Sequence, residues 1–325
     1  MKKSIFAFIS IALCLVMMLS SVGCVSLDDL VNKGTSTGGE SLESANDTQK
    51  QTDEQTEKQT NKQTEKQTEK QTEKQTEKQT DKQTDNETQN QSSSSTAFKV
   101  RFASYNIMHA GNNTDLKKIA ANIKNNGIDI VGLQEVDNNT KRSGYVNQVK
   151  RLSELTGYAY YHFFKAIDHD GGQYGLAILS KYPIEQSKKI SLSSGSAEQR
   201  VLGYSQINVD GTLINFFVTH LSYDGEPGGA SRSKQFSEVA AELAKHDNFV
   251  LSGDFNTRNL NEFDVINDSA LVNTKEDPKI TYPDGKSPLD NLVYSASTWS
   301  FGAINVVTDS YSDHYMIHSI GVLKK

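Results

Sequence analysis

Residues 49–88 contain no aromatic and no aliphatic side chain, and this confines any packed fold to the rest of the chain. The stretch repeats Gln-Thr-Glu-Lys with small variations. It has no apolar surface to offset the entropy of ordering, so it cannot build a core. A lone helix is poorly supported. The four-residue period sets Glu65 against Glu69 and Lys66 against Lys70, like charges on one face, and the β-branched threonines lower helix propensity. All 13 tyrosines, the only tryptophan, all five prolines and all seven histidines come later. Residues 97–325 are therefore expected to form one sizeable domain. Residues 24–96 are expected to be a disordered stalk, with a coil reach of roughly 50 Å and a full stretch of about 250 Å. An interaction repeat with its own ligand is the alternative for this segment.

The first residues read as targeting. Lys2 and Lys3 precede an apolar stretch over 5–19, then Ser20-Ser21-Val22-Gly23 and Cys24. Charge, length and small residues at the end make 1–23 a signal peptide, on the short side for a membrane span. Gly23-Cys24 resembles a bacterial lipobox, with Ser21 where leucine is usual. The resemblance implies a lipidated Cys24 and an extracytoplasmic protein anchored to the bacterial cell membrane, its stalk reaching toward the cell wall. A secreted protein with an incidental cysteine is the alternative. The chain's two cysteines are Cys14 and Cys24. With none later, no disulfide framework exists and the domain must hold through its core.

Of 34 basic and 40 acidic residues, 11 and 15 precede Ala97, so the domain is nearly neutral. Dedicated duplex-DNA binders carry a basic excess, and that class is disfavoured here; a nuclease with local positive charge is not excluded.

Patterning predicts many strands and few helices. Strands are expected over 98–108, 128–136, 158–166, 175–179, 201–209, 212–221, 249–252, 292–294, 301–307 and 315–322. Helices are expected over 115–125, with Thr114 as N-cap, 146–155 and 234–245. Consecutive strands without intervening helices fit two stacked sheets with helices outside, and argue against a doubly wound parallel sheet.

Several of these strands end in polar groups. Phe249-Val250-Leu251 runs into Asp254 and Asn256, which alternation would set on one face, with Gly253 leaving room beside them. By itself that segment is equally a strand stopping in a polar turn. Others behave alike: Phe102-Ala103-Ser104-Tyr105 ends at Asn106, Ile130-Val131-Gly132-Leu133 at Gln134-Glu135, and Phe216-Phe217-Val218 at Thr219-His220. Asp290 stands just before a strand and Ser312-Asp313-His314 before the last one. Glu135 with Asn106 offers the oxygen donors a hard divalent cation takes. His314 with Asp290 would be an imidazole oriented by a carboxylate. Each alone could be a turn former, a rim charge or a satisfied histidine.

Taken in order, Ser104-Tyr105-Asn106-Ile107, Leu133-Gln134-Glu135-Val136, Gly253-Asp254-Phe255-Asn256, Leu289-Asp290-Asn291 and Ser312-Asp313-His314 resemble the endonuclease/exonuclease/phosphatase superfamily. That group includes DNase I-like nucleases, abasic-site endonucleases, inositol polyphosphate phosphatases and bacterial sphingomyelinases. The resemblance spans nearly all of 97–325. It implies a four-layer α/β/β/α sandwich of two mostly antiparallel sheets flanked by helices, and hydrolysis of phosphoesters with Mg²⁺ or Mn²⁺. Carried over, Glu135 would be the main metal ligand, with Asn106 beside it and Asp313 at the metal's edge. Asp254 would orient or deprotonate the attacking water, and Asn256 would hold a phosphate oxygen. His314, oriented by Asp290, would stabilise the transition state or transfer a proton. His220 and Arg200 would touch the phosphate from the other side. Leu176 stands where many relatives have asparagine. The expected substrate is a lipid headgroup or small phosphoester, with DNA or RNA cleavage as the alternative and a silent binding domain as a third. Nucleic acid thus enters only as a substrate, and a monomer is expected.

Overall fold

The computed structural model describes residues 98–324, apart from 111–112, 224, 227 and 229–230. The signal-peptide, lipidation and stalk expectations lie outside the described residues. One sheet holds β1 (Lys99–Asn106), β2 (Ile130–Asn138), β3 (Tyr160–His169), β4 (Gly172–Ser180), β11 (Trp299–Phe301), β12 (Asn305–Val307) and β13 (Met316–Leu323). Its order is β11-β13-β1-β2-β4-β3, with β12 also on β13. The other holds β5 (Ile184–Ser191), β6 (Val201–Val209), β7 (Thr212–His220), β8 (Phe249–Asp254), β9 (Ser269–Leu271) and β10 (Asp290–Ser295), in the order β5-β6-β7-β8-β10-β9. The pairs β1/β2 and β7/β8 are parallel. The remaining ladders are antiparallel.

Alternation along the central strands builds the layers. Val100 and Phe102 of β1, Ile130 of β2, Phe216 and Val218 of β7 and Val250 of β8 meet between the sheets. Their neighbours point outward. Tyr105, Val131 and Leu133 pack against Leu116, Ile119 and Ile123 of helix α1 (Asn113–Asn125) and Val149 and Leu152 of helix α2 (Gln148–Thr156). Phe217, Phe249 and Leu251 pack against Phe236, Val239 and Leu243 of helix α3 (Arg232–Leu243). Three apolar cores separate four layers, as the α/β/β/α expectation required. Between the sheets, Phe102 stacks on Phe216 with centroids 5.7 Å apart and meets Trp299 edge-on at 5.5 Å. Burial of each such ring contributes about 1.5–3 kcal/mol. Gly132 lets β2 and β8 approach closely, since a Cβ there would collide with Ser252 Oγ.

The departures from the patterning have local causes. β5 was not expected because its sequence, Ile-Glu-Gln-Ser-Lys-Lys-Ile-Ser, is largely exposed and charged, as suits an edge strand. The three-residue β9 was also missed. The single strand expected over 301–307 is two pieces on one edge of β13, with Trp299 opposite Leu323 and Val307 opposite Met316. Helix α1 starts at Asn113, which places Thr114 inside its first turn. Asp290 is the first residue of β10, not the residue before it.

One buried group gives the fold a pH dependence. His318 on β13 is buried, and its Nδ1 has no hydrogen-bond partner among the described residues. Burial first, and the nearby Arg101 charge second, push its pKa down to about 4. The folded chain holds His318 neutral while the unfolded chain protonates it below about pH 6.5. Its contribution is complete above that pH and is lost as pH falls toward 4, a change of roughly 1–3 kcal/mol. Urea midpoints are expected to fall between pH 7 and 4.5, and His318→Gln should flatten part of that slope. An unchanged slope in the variant would show that His318 is not the sensor.

Candidate active site

The parallel pairs β1/β2 and β7/β8 bring four strand ends to one edge of the sandwich. Asn106 is the last residue of β1. His220 and Asp254 end β7 and β8 opposite each other, and Asp254 also faces Asp290 across the β8/β10 ladder. β13 runs antiparallel to β1, so Asp313 and His314, just before it, enter at the same edge. Two residues reach the site through unusual backbone. Glu135 sits at φ 57° where the β2/β4 register shifts between Leu133 and Val136. A bulge of this kind re-aims a side chain, at a strain of order 1–3 kcal/mol. Asn256 lies beyond β8 at φ 50°. Strand alternation therefore does not set it beside Asp254 as expected; a turn does, with Asn256 N–H donating to Asp254 Oδ1 at 2.9 Å.

The centre is a hydrogen-bonded cluster at the floor of a cavity of about 650 Å³. Asn106 Nδ2 donates to Glu135 Oε1 at 2.9 Å and to Asp254 Oδ2 at 3.1 Å. His314 Nδ1 lies 2.8 Å from Asp290 Oδ2, and its Nε2 is 3.5 Å from Asp254 Oδ2. Burial opposes protonation of His314, but the carboxylates of Asp290 and Asp254 outweigh it and push its pKa up to about 10. The imidazole is thus a cation at neutral pH. Burial lifts the Asp254 carboxyl to about 7, against the pull of His314 and with the push of Asp290. A carboxyl so placed can exchange a proton near neutrality.

On the other wall, His220 Nε2 is 3.0 Å from Asn256 Nδ2 and 3.5 Å from Asp254 Oδ2, while Nδ1 is 3.4 Å from Arg200 Nη1. Burial, then Arg200, then His314 hold its pKa well below the usual histidine range, so the ring is neutral. All nine residues expected from the sequence converge here: seven of them line the cavity, with Asn106 and Asp290 bonded behind Glu135 and His314.

Four further residues shape the site without having been singled out. Glu198 and Glu226 bind Arg200 at 3.0 and 3.3 Å. Tyr282 sets its ring edge-on to His314, centroids 5.0 Å apart. Arg232 Nη1 donates to the Asn256 carbonyl at 2.9 Å while its Nε and Nη2 grip Glu262. Glu198 stood two residues from Arg200 in the sequence. Tyr282 and Glu226 come from loops with no periodicity to read.

The donor set suits a hard cation. Glu135, Asp254 and Asp313 present carboxylates to the cavity, and Asp290 Oδ1 is buried without a hydrogen-bond partner among the described residues. Oxygen donors of this kind are what Mg²⁺ or Mn²⁺ takes. Asn106 differs from the expected ligand in one respect: its Oδ1 accepts from Met108 N–H at 3.0 Å and its NH₂ faces the carboxylates. Asp254, Asp290 and His314 also lie close enough to share one ion, with ligand atoms within 4.8 Å of one another.

Residues 103–314 match the profile of the Endonuclease/Exonuclease/phosphatase family. No curated protein sequence matches the chain. Among solved structures, an endonuclease/exonuclease/phosphatase from Beutenbergia cavernae aligns at 21% identity and TM-score 0.56, covering 69% of this chain and 72% of that one. A mannosyl-6-phosphatase from Bacteroides thetaiotaomicron aligns at 18% identity and TM-score 0.52, covering 68% and 98%. The human Nocturnin catalytic domain aligns at 17% identity and TM-score 0.56, covering 70% and 95%. At these identities the likeness speaks for the fold.

Proposed function

The chain belongs to the endonuclease/exonuclease/phosphatase family, and on that premise we propose that it is a divalent-metal-dependent phosphoesterase that hydrolyses a lipid headgroup or other small phosphoester with an activated water. The observation that carries this reading is the pairing of His314, held cationic by Asp290, with Asp254, whose carboxyl is lifted to about 7, in one cavity beside Glu135. Phosphoryl transfer needs charge neutralisation and in-line positioning more than covalent chemistry.

Glu135 would hold the ion, with Asp313 at its edge and Asn106 keeping the Glu135 and Asp254 carboxylates together. Mg²⁺ or Mn²⁺ bound there would polarise a phosphoryl oxygen and stabilise the leaving oxygen. Asp254 would take a proton from the water as the water oxygen bonds to phosphorus, and the P–O bond opposite would break, the leaving oxygen departing as an alkoxide that takes up a proton from solvent. Asn256 and His220, in contact at 3.0 Å, would turn an N–H from each other or from the Leu221 carbonyl toward the non-bridging oxygens. The His314 imidazolium, kept in place by Asp290, faces the charge that gathers on the phosphoryl group. The test is turnover of chromogenic phosphoesters by the purified domain with Mg²⁺ and with EDTA. No turnover of any phosphodiester or phosphomonoester would sink the proposal.

We place the enzyme outside the cytoplasm, tethered through a lipidated Cys24 on a long polar stalk. This rests on Lys2, Lys3, the apolar 5–19 stretch and Gly23-Cys24. A Cys24→Ser protein is expected to leave the membrane fraction for the soluble one. Retention in the membrane would refute lipidation at that position.

A further inference from the structure

We propose that Glu198 and Glu226 make this site select phosphodiesters that carry a single phosphate and a neutral or cationic arm, and discriminate against polyanionic strands; the inference rests on the phosphoesterase reading above. Among the described residues that line the cavity, the cationic side chains besides His314 are Arg200 and Arg258, and no lysine lines it. Both arginines bind carboxylates, Arg200 in the interior and Arg258 with a 61% exposed side chain. Arg200 is nine-tenths buried and lies between Glu198 at 3.0 Å and Glu226 at 3.3 Å. Arg258 binds Asp284 at 3.2 Å and donates to Ser287 Oγ at 2.7 Å.

The carboxylates are not merely neutralising. The Glu226 side chain is 6% exposed, and its Oε2 is buried with no hydrogen-bond partner among the described residues. The Arg200 Nε is unpartnered in the same sense. A single arginine thus faces two acids whose charge it cannot fully satisfy, and Glu198 presents the surplus to the cavity beside Tyr174 and Tyr223. An ammonium or hydroxyl-bearing arm would be received there by a carboxylate and ring faces. A second phosphate near Glu198 would meet like charge, and besides the buried Arg200 the one lysine or arginine among the cavity's described residues is Arg258, already bonded to Asp284 and Ser287. A nucleic-acid strand needs several such contacts, since neutralised phosphates dominate its affinity.

The experiment compares three phosphodiesters of graded charge on the full-length protein with Mg²⁺: p-nitrophenyl phosphorylcholine with a cationic arm, bis-p-nitrophenyl phosphate with neutral arms, and a ten-residue oligothymidylate. The first two should be turned over well and the oligonucleotide poorly in kcat/KM. Glu198→Gln and Glu226→Gln, made separately, should each shift the ratio about tenfold toward the oligonucleotide, the first by relieving one like-charge contact and the second by freeing charge on Arg200. They should also steepen its salt dependence. A wild-type preference for the oligonucleotide, or ratios unmoved in both variants, overturns the inference. Hydrolysis of p-nitrophenyl phosphate alone also overturns it while leaving the hydrolase reading standing. Hydrolysis of nothing removes that reading itself.

Discussion

His314→Ala and Asp254→Asn are each expected to lower kcat by about 10³-fold or more, with KM little changed. In the proposed mechanism the two groups act where charge and proton move, and such roles typically contribute 10²–10⁴. The proposed role of His314 is a fixed positive charge, favoured by Asp290 through the 2.8 Å contact at Nδ1. Removing it leaves Asp290 buried without its main partner, so the variant's melting temperature should be measured beside its rate. Asp254→Asn is the cleaner change. It keeps the shape of the site and an oxygen for the Asn256 N–H while removing the proton acceptor, at the cost of the Asn106 Nδ2 bond to Oδ2. A KM effect without a kcat effect would reassign both residues to binding. Full activity in either variant would mean that the chemistry happens elsewhere.

Chelation is the second large effect. EDTA should reduce turnover to background, and Mg²⁺ or Mn²⁺ should restore it. Glu135→Gln should raise the metal concentration for half-maximal activity by about tenfold or more, because one of few charged ligands becomes neutral. The glutamine can still accept from Asn106 Nδ2, so the local bonding survives and the loss reports on the ion. Activity indifferent to EDTA would be incompatible with the role given to Glu135.

Much of this site could be read along the chain because strand ends announce themselves: an apolar run stops and a carboxylate, amide or histidine follows. Asn106, Glu135, His220 and Asp254 were legible in that way, and each ends or interrupts a strand. Their mutual bonding was not. Nothing local states that the amide of Asn106 would span Glu135 and Asp254, which are 119 residues apart in sequence. Asn256 shows the limit of periodicity. It was expected beside Asp254 through strand alternation and arrives there by a left-handed turn. The Arg200 carboxylates were harder still, since Glu226 sits in a loop whose composition carries no period and its partner comes from the start of another strand. In the fold, the apolar central strands were visible and the charged edge strand β5 was not, because an exposed edge has no reason to alternate.

The pairing of β13 with β1 sets when the enzyme can exist. Lys99 stands opposite Val322, so the two ends of the domain are neighbours in one sheet, and His314 is delivered by that closure. Contacts so distant along the chain form late and slowly, since a long loop must close before they are rewarded. A chain whose β13 has not yet paired with β1 lacks His314 at the site, however well Asn106, Glu135 and Asp254 have gathered. Activity is therefore expected to appear only once β13 has joined β1.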